Sequence, residues 1–242
     1  MQAIKTTDLT KIYKDIVAVN KVNLKIEKGE LFALLGVNGA GKTTLIKMLS
    51  TLTSPTDGDA LVGGNSIKNN PLAVKRIIGV SPQETAVAPN LSVKENLELM
   101  CGIYGFSKEK QQEKIKALSK QFNLQGILSK KAGKLSGGWQ RRLSIAMALI
   151  SEPEILFLDE PTLGLDVIAR SELWQIIKSL KGKVTIILTT HYMEEAESLS
   201  DRIGIMQKGE LLFVGSSEEL MTKTKTDRVE KAFISIVGGE VV

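Results

Sequence analysis

The chain has 242 residues, a formal net charge of +5, one Cys and one His. A lone Cys101 excludes an internal disulfide and a multi-cysteine zinc site, and no run approaches the roughly 18 consecutive apolar residues of a membrane-crossing helix. The N-terminal stretch MQAIKTTDLTKIYKD lacks an apolar core of the secretory type, so the expectation is a soluble, intracellular α/β protein with one large domain.

Val22 to Ile26 alternates apolar and polar residues, the pattern of a half-buried strand. After the Glu27–Gly29 turn, Leu31 to Leu35 is a continuous apolar run, which predicts a strand covered on both faces. A glycine-rich loop follows at once. Leu45, Met48, Leu49 and Leu52 then recur at helical spacing. Strand, glycine loop and helix in that order open an α/β nucleotide-binding unit. Residues 53–80 contain Ser54–Gly58 and Gly63–Gly64 and read as short strands and loops. From Ser92 to Gln125 the pattern is helical and polar, and a helix through Leu143, Met147 and Ile150 follows a second glycine-bearing loop. Buried-type strands at Ile155–Leu158 and Val184–Thr189 flank a helix from Val167 to Leu180. Ile203–Met206, the Lys208–Gly209 turn and Leu211–Val214 predict a hairpin, and a short amphipathic stretch surrounds Phe233.

The loop Gly36-Val37-Asn38-Gly39-Ala40-Gly41-Lys42-Thr43-Thr44 fits the full G-x-x-x-x-G-K-[ST] pattern in its strand–loop–helix setting. Its glycines let successive backbone N–H groups turn inward around a polyphosphate, and the helix start adds its positive dipole end. Lys42 is placed to reach β- and γ-phosphates, and Thr43 to offer a hydroxyl to Mg²⁺. Asp159 and Glu160 emerge from an apolar strand. On their own they would read as solvated loop acids; beside a phosphate loop, Asp159 is the candidate partner of the cation and Glu160 the group that polarises attacking water. Ser136-Gly137-Gly138 begins a second glycine-bearing helix. One triphosphate does not need two such helix starts from one chain, whereas a second copy of the chain can supply one of them. Arg141 and Arg142 are expected to solvate or cap this helix, and Cys101 to be a buried small apolar residue.

Leu135-Ser-Gly-Gly-Trp-Gln140 resembles the signature motif of the ABC ATPase family, with Trp139 where the family usually has Gln. Other segments are similar to that family in chain order. Gln83 resembles the Q-loop glutamine that touches Mg²⁺ or the attacking water, and Pro161–Asp166 the loop that crosses the dimer interface. His191 resembles the switch histidine on the γ-phosphate, and Tyr13 the aromatic that stacks on adenine. The resemblance covers roughly residues 3–220. It implies a P-loop α/β fold of ABC type, with a mixed core sheet, an N-terminal antiparallel β part and an inserted helical subdomain. Residues 1–83 and 155–220 would form the ATP-binding core, 84–154 the helical subdomain, and 221–242 a short tail.

It further implies a subunit that binds ATP and Mg²⁺, pairs with a second ABC ATPase subunit as a homodimer, and powers a separate permease from the cytoplasmic face of the membrane. No nucleic acid partner is expected. The Thr43-Thr44 pair, Pro161–Asp166 and Thr190–Glu195 look like the drug and antibiotic exporter branch. An importer ATPase is the nearest rival. A non-transport ABC ATPase on DNA or ribosomes would usually carry a coiled-coil insertion or a second ATPase domain, and a P-loop kinase would not need the Ser-Gly-Gly helix start.

Overall fold

The structure, a computed structural model, describes residues 1–238, so residues 239–242 of the expected tail lie outside the described residues. The chain opens with a long strand, β1 (Gln2–Tyr13), which turns back into β2 (Ile16–Val22). β3 (Lys25–Glu27) follows and pairs with the beginning of β1, whereas β2 pairs with its end. The alternating stretch Val22–Ile26 is therefore not one strand. Between its halves the Thr6 hydroxyl donates to the Val22 carbonyl and accepts from the Leu24 N–H, replacing ladder bonds where the chain steps from one pairing to the next.

β4 (Leu31–Leu35) leads through the glycine loop into α1 (Lys42–Leu49). The helix stops before Leu52, which is 64% exposed, because Thr51 turns the chain with φ 57. β5 (Asp57–Val62) and β6 (Asn65–Ser66) are the short strands expected, but a helix, α2 (Pro71–Ile77), precedes β7 (Ile78–Ser81). Pro71 at its first turn suits a helix start, a signal that the loop reading of 53–80 passed over.

Three helices come next: α3 (Val93–Ile103), α4 (Lys108–Gln121) and α5 (Gly137–Ala148). β8 (Ile155–Asp159), α6 (Val167–Leu180), β9 (Thr185–Thr190) and α7 (Met193–Leu199) return the chain to the sheet. β10 (Arg202–Gln207) and β11 (Glu210–Gly215) form the hairpin, followed by α8 (Ser217–Thr224) and α9 (Val229–Gly238).

The central sheet has the order β11-β10-β4-β9-β8-β7, with parallel pairing from β10 through β7 and an antiparallel β11 edge. β2, β1, β5 and β6 build a separate antiparallel sheet, with β3 also on β1. β4 lies between two apolar clusters, one on each face of the central sheet. Leu31, Ala33 and Leu35 point into the helical side, while Phe32 and Leu34 point toward α1 and the antiparallel sheet. Both faces are covered, so every residue of the strand is apolar and buried. Each of its leucines and its phenylalanine contributes about 1.5–3 kcal/mol of burial, enough to hold rigid the strand end from which the glycine loop departs.

Candidate functional site

Helix starts differ in what meets their leading N–H groups; α2, with Pro71 in its first turn, has no side-chain cap, and α7 has none but carries Glu194 and Glu195 there. α3, α4, α6 and α8 begin on side-chain caps from Ser92, Ser107, Asp166 and Ser216. α1 begins on Gly41 and α5 on Ser136 with no side-chain cap bond and no acidic residue in the first turn. Their leading N–H groups thus remain available to an anion.

At α1 the backbone is fixed closely. Gly41 has φ 103, and a Cβ on it would lie 2.3 Å from the Ala18 carbonyl oxygen. Gly36 is buried, and a Cβ there would meet the Met206 carbonyl oxygen at 2.4 Å. Only glycine lets the loop pass between β2 and β10. Above it lies a cavity of about 670 Å³, within the range of small-ligand sites, whose lining includes Asn38, Gly39, Ala40, Gly41, Lys42, Thr43 and Thr44. Gln83, Glu160 and His191 line the same cavity from other parts of the chain.

The polar floor is connected. Lys42 Nζ donates to the Gly36 carbonyl at 2.6 Å and stands 3.3 Å from Glu160 Oε1. Glu160 Oε2 meets His191 Nδ1 at 2.8 Å. Lys42 and Glu160 are both buried, so their charges face each other with little water between them. Glu160 itself adopts φ 49, a left-handed conformation that costs a non-glycine residue about 1–3 kcal/mol. Its N–H donates to Thr189 Oγ1 at 2.9 Å, which holds it there. Asp159 Oδ1 accepts from Thr43 Oγ1 at 3.2 Å and from Thr189 Oγ1 at 2.5 Å.

Thr43 and Asp159 present hard oxygen atoms of the kind Mg²⁺ takes. Among the described residues no cluster of three or more His, Cys, Asp and Glu could hold a metal ion. That donor set fits Mg²⁺ carried on a polyphosphate, which binds through one or two carboxylates and keeps phosphate and water for the rest.

Several positions differ from the sequence expectation. Arg141 and Arg142 are 5% and 4% exposed, so they do not solvate the helix. Arg141 donates to the carbonyls of Pro82 and Gln83 and so braces the loop that carries Gln83. Burial pulls its guanidinium below the ordinary value, while Asp159 and Glu195 oppose that shift. Arg142 pairs with Glu172 and lies 4.6 Å from the Trp139 ring centre. Trp139 packs against the helical core, so the fifth residue of this motif serves packing.

Tyr13 is half-exposed at the end of β1 with Lys11 Nζ 4.9 Å from its ring, and it is not among the cavity-lining residues. Ser136, Gly137 and Gly138 also lie outside that cavity; Ser136 and Gly137 are exposed. Cys101 is buried.

Sequence reasoning passed over Ile16, Val17, Ala18, Leu163 and Lys208, all of which line the cavity. Lys208 is there because β10 pairs in parallel with β4, so the turn after β10 sits at the same sheet end as the glycine loop. The Gly209 N–H donates to the Ala40 carbonyl at 3.0 Å and fastens the two. The Lys208-Gly209 turn was legible; strand order was not.

Comparison with known proteins supports the same reading of the chain. The family model described as "ABC transporter" matches residues 19–163. The chain is 40% identical over 240 residues to a probable multidrug ABC transporter ATP-binding protein, YbhF, of Escherichia coli, covering 97% of this chain and 41% of that protein. It is 38% identical to the daunorubicin resistance ATP-binding protein DrrA3 of Streptomyces coeruleorubidus, covering 94% of this chain and 72% of the relative. Among solved structures, an ATP-binding subunit of an ABC transporter superposes with a TM-score of 0.86 at 26% identity, covering 97% and 99% of the two chains. The dimeric bacterial ABC transporter cassette MJ0796 gives 0.80 at 30% identity, covering 88% and 98%. With a family model over residues 19–163, a relative at 38% identity of which the chain covers 72%, and an ABC cassette fold, the chain belongs to the ABC transporter family.

Proposed function

We propose that the chain is an ATPase subunit that dimerises on Mg-ATP and drives a separate transmembrane permease, exporting a drug-like or other small molecule. The observation that carries this reading is the buried run of contacts from Lys42 through Glu160 to His191 at the floor of a cavity walled by the glycine loop. Lys42 is held on its own loop carbonyls and can turn its amine onto β- and γ-phosphates. Glu160 accepts the proton of an attacking water, the role its position beyond Asp159 favours. His191 commits Nδ1 to Glu160, leaving Nε2 to meet the γ-phosphate. Gln83 stands at the rim, where it can position water or cation. Bound Mg²⁺ would neutralise charge on the phosphate oxygens; Thr43, Asp159 and Gln83 are the residues proposed to hold it.

Dimerisation is proposed because the site needs donors that this chain directs elsewhere. Ser136, Gly137 and Gly138 face outward, uncapped, and near them Leu165 and Ala169 approach α5. Val167 and Ile168 on the same segment are exposed apolar residues, suited to a second copy of the chain. The dimeric MJ0796 cassette supports this arrangement, as the multidrug and daunorubicin relatives support export. We assign 84–154 to a helical subdomain facing the permease, with Tyr13 meeting the adenine and residues beyond 220 as a tail. No helix among the described residues is long and apolar enough to cross a membrane, which suits peripheral attachment at the cytoplasmic face.

The test is a mild-detergent pull-down of the tagged chain from its source membranes, paired with an ATPase assay. Copurification of a polytopic membrane protein at near-equal amounts, with ATP turnover, is the expected result. Recovery with ribosomes or DNA alone would replace the transport reading, and phosphoryl transfer to a metabolite without ATP hydrolysis would replace the ATPase.

A further inference from the structure

Glu195 lies in the first turn of α7 and is fully buried. An ionised carboxylate without partners in such a place is expensive, so its surroundings are informative. Trp174 Nε1 of α6 donates to Oε1 at 3.0 Å. Oε2 has no hydrogen-bond partner, and neither does the fully buried Thr162 Oγ1. The Thr162 and Thr190 hydroxyls both stand beside the Glu195 carboxyl. Thr190 Oγ1 in turn accepts from the N–H of Tyr192 at 3.0 Å, next to His191. The charged groups facing Glu195 are Glu160 and Arg141. Burial, with a smaller contribution from Glu160, pushes the Glu195 carboxyl up, toward the protonated form. A protonated carboxyl can accept from Trp174 at one oxygen and donate to a threonine hydroxyl from the other.

We propose that Glu195 is a positioning residue of the ATP-hydrolysing site: bonded to Trp174 of α6 and buried beside Thr162, in the turn after Glu160, and Thr190, at the end of β9, its carboxyl packs these elements in register and so keeps His191 against Glu160. This rests on the ATPase reading given above. Glu195 is not among the residues that line the cavity. It fixes the two segments on either side of the 2.8 Å His191–Glu160 contact, Thr190 immediately before His191 and Thr162 just after Glu160. A small misplacement of such groups is enough to cost on the order of a hundredfold in rate.

The experiment compares Glu195→Ala, Glu195→Gln and Trp174→Phe in the full chain, with steady-state ATP hydrolysis and the imidazole NMR signal of the nucleotide-free protein. Since the chain has a single His, that signal reports His191 alone. Glu195→Ala should lower kcat by at least about tenfold while KM for ATP changes by less than about threefold, and should move the His191 signal. Glu195→Gln can donate and accept in the same directions as a protonated Glu, and should restore kcat to within about threefold with the His191 signal in place. Trp174→Phe keeps an aromatic ring but loses the donor, and should fall between them even if Glu195→Ala does not fold. Wild-type kcat and an unmoved His191 signal in Trp174→Phe would overturn the proposal. So would a Gln variant as impaired as Ala, or an Ala variant that raises KM alone. Absence of turnover in the wild-type chain would instead sink the ATPase reading.

Discussion

α1 and α5 both start on glycine-bearing loops without a side-chain cap, yet their surroundings are opposite. The α1 start is enclosed by its own chain: β2, the turn after β10, Glu160 and His191 all reach its cavity. The α5 start faces outward, and the nearest atom to a Cβ on Gly137 would be Leu165 Cδ2 at 3.9 Å. An anion at α1 finds a buried cation, acids and hydroxyls supplied by one chain. An anion at α5 finds N–H groups and the exposed Ser136 hydroxyl, with no buried partner. On the function proposed above, equal helix starts divide into a site that binds by itself and a half-site that acts only against another surface.

The largest effect that would break this division is at Glu160. Glu160→Gln keeps shape and hydrogen bonding but removes the proton acceptor, so kcat should fall by roughly 10²–10⁴-fold while nucleotide binding survives. ATP should then hold the variant as a dimer, measurable by light scattering with and without nucleotide. Near-normal hydrolysis would remove Glu160 from the role of base.

Ser136→Arg tests the other half. A long cation on the exposed α5 start should prevent dimerisation and lower turnover by more than about tenfold, with nucleotide affinity of the single chain unchanged. Loss of binding by this variant would place the α5 start in the same-chain site and abolish the contrast. A paired alanine scan separates backbone constraint from interface. Gly41→Ala must hold φ 103 against the Ala18 carbonyl, a strain of about 1–3 kcal/mol or more. At about 2–4 °C per kcal/mol for a domain of this size, Tm should drop by several degrees. Gly137→Ala should leave Tm unchanged or raise it and lower only dimer-dependent turnover. Equal melting losses would show that both loops are constrained within one chain.

The enclosed half was the more legible of the two in the sequence, because its chemistry is local. Gly36–Thr44 and Asp159–Glu160 are contiguous runs attached to apolar strands, and Leu31–Leu35 matches β4 residue for residue. What was not legible depends on strand order and on side chains that reach across the fold. Lys208 enters the cavity only because β10 lies beside β4, and Arg141 looked like a surface cation until Pro82 and Gln83 supplied its acceptors. α2 was hidden among turn residues, and Val22–Ile26 kept its alternation across a break that the Thr6 side chain bridges. Glu195 carried only its place in the Thr190–Glu195 resemblance and no signal of burial, since an acid two residues into a helix is ordinarily a solvated, dipole-favoured residue.

The smallest effect sharpens the comparison most finely, because it sets one exposed lysine against another. Lys208 stands at the mouth of the α1 cavity, and Lys134 precedes the α5 start; both are exposed. Exposed charges contribute about 0–1 kcal/mol, and salt screens them. Lys208→Ala should therefore raise KM for ATP about two- to fivefold at low ionic strength, with kcat unchanged and the difference shrinking as salt is added. Lys134→Ala should leave nucleotide binding by the single chain untouched and alter, at most, turnover that depends on dimer formation. ATP titrations of both variants at two salt concentrations decide it. If Lys134→Ala weakens single-chain binding as much as Lys208→Ala does, the attraction is a general field of the basic chain. If only Lys208→Ala does, the phosphate site draws its long-range attraction, like its chemistry, from the residues that enclose it.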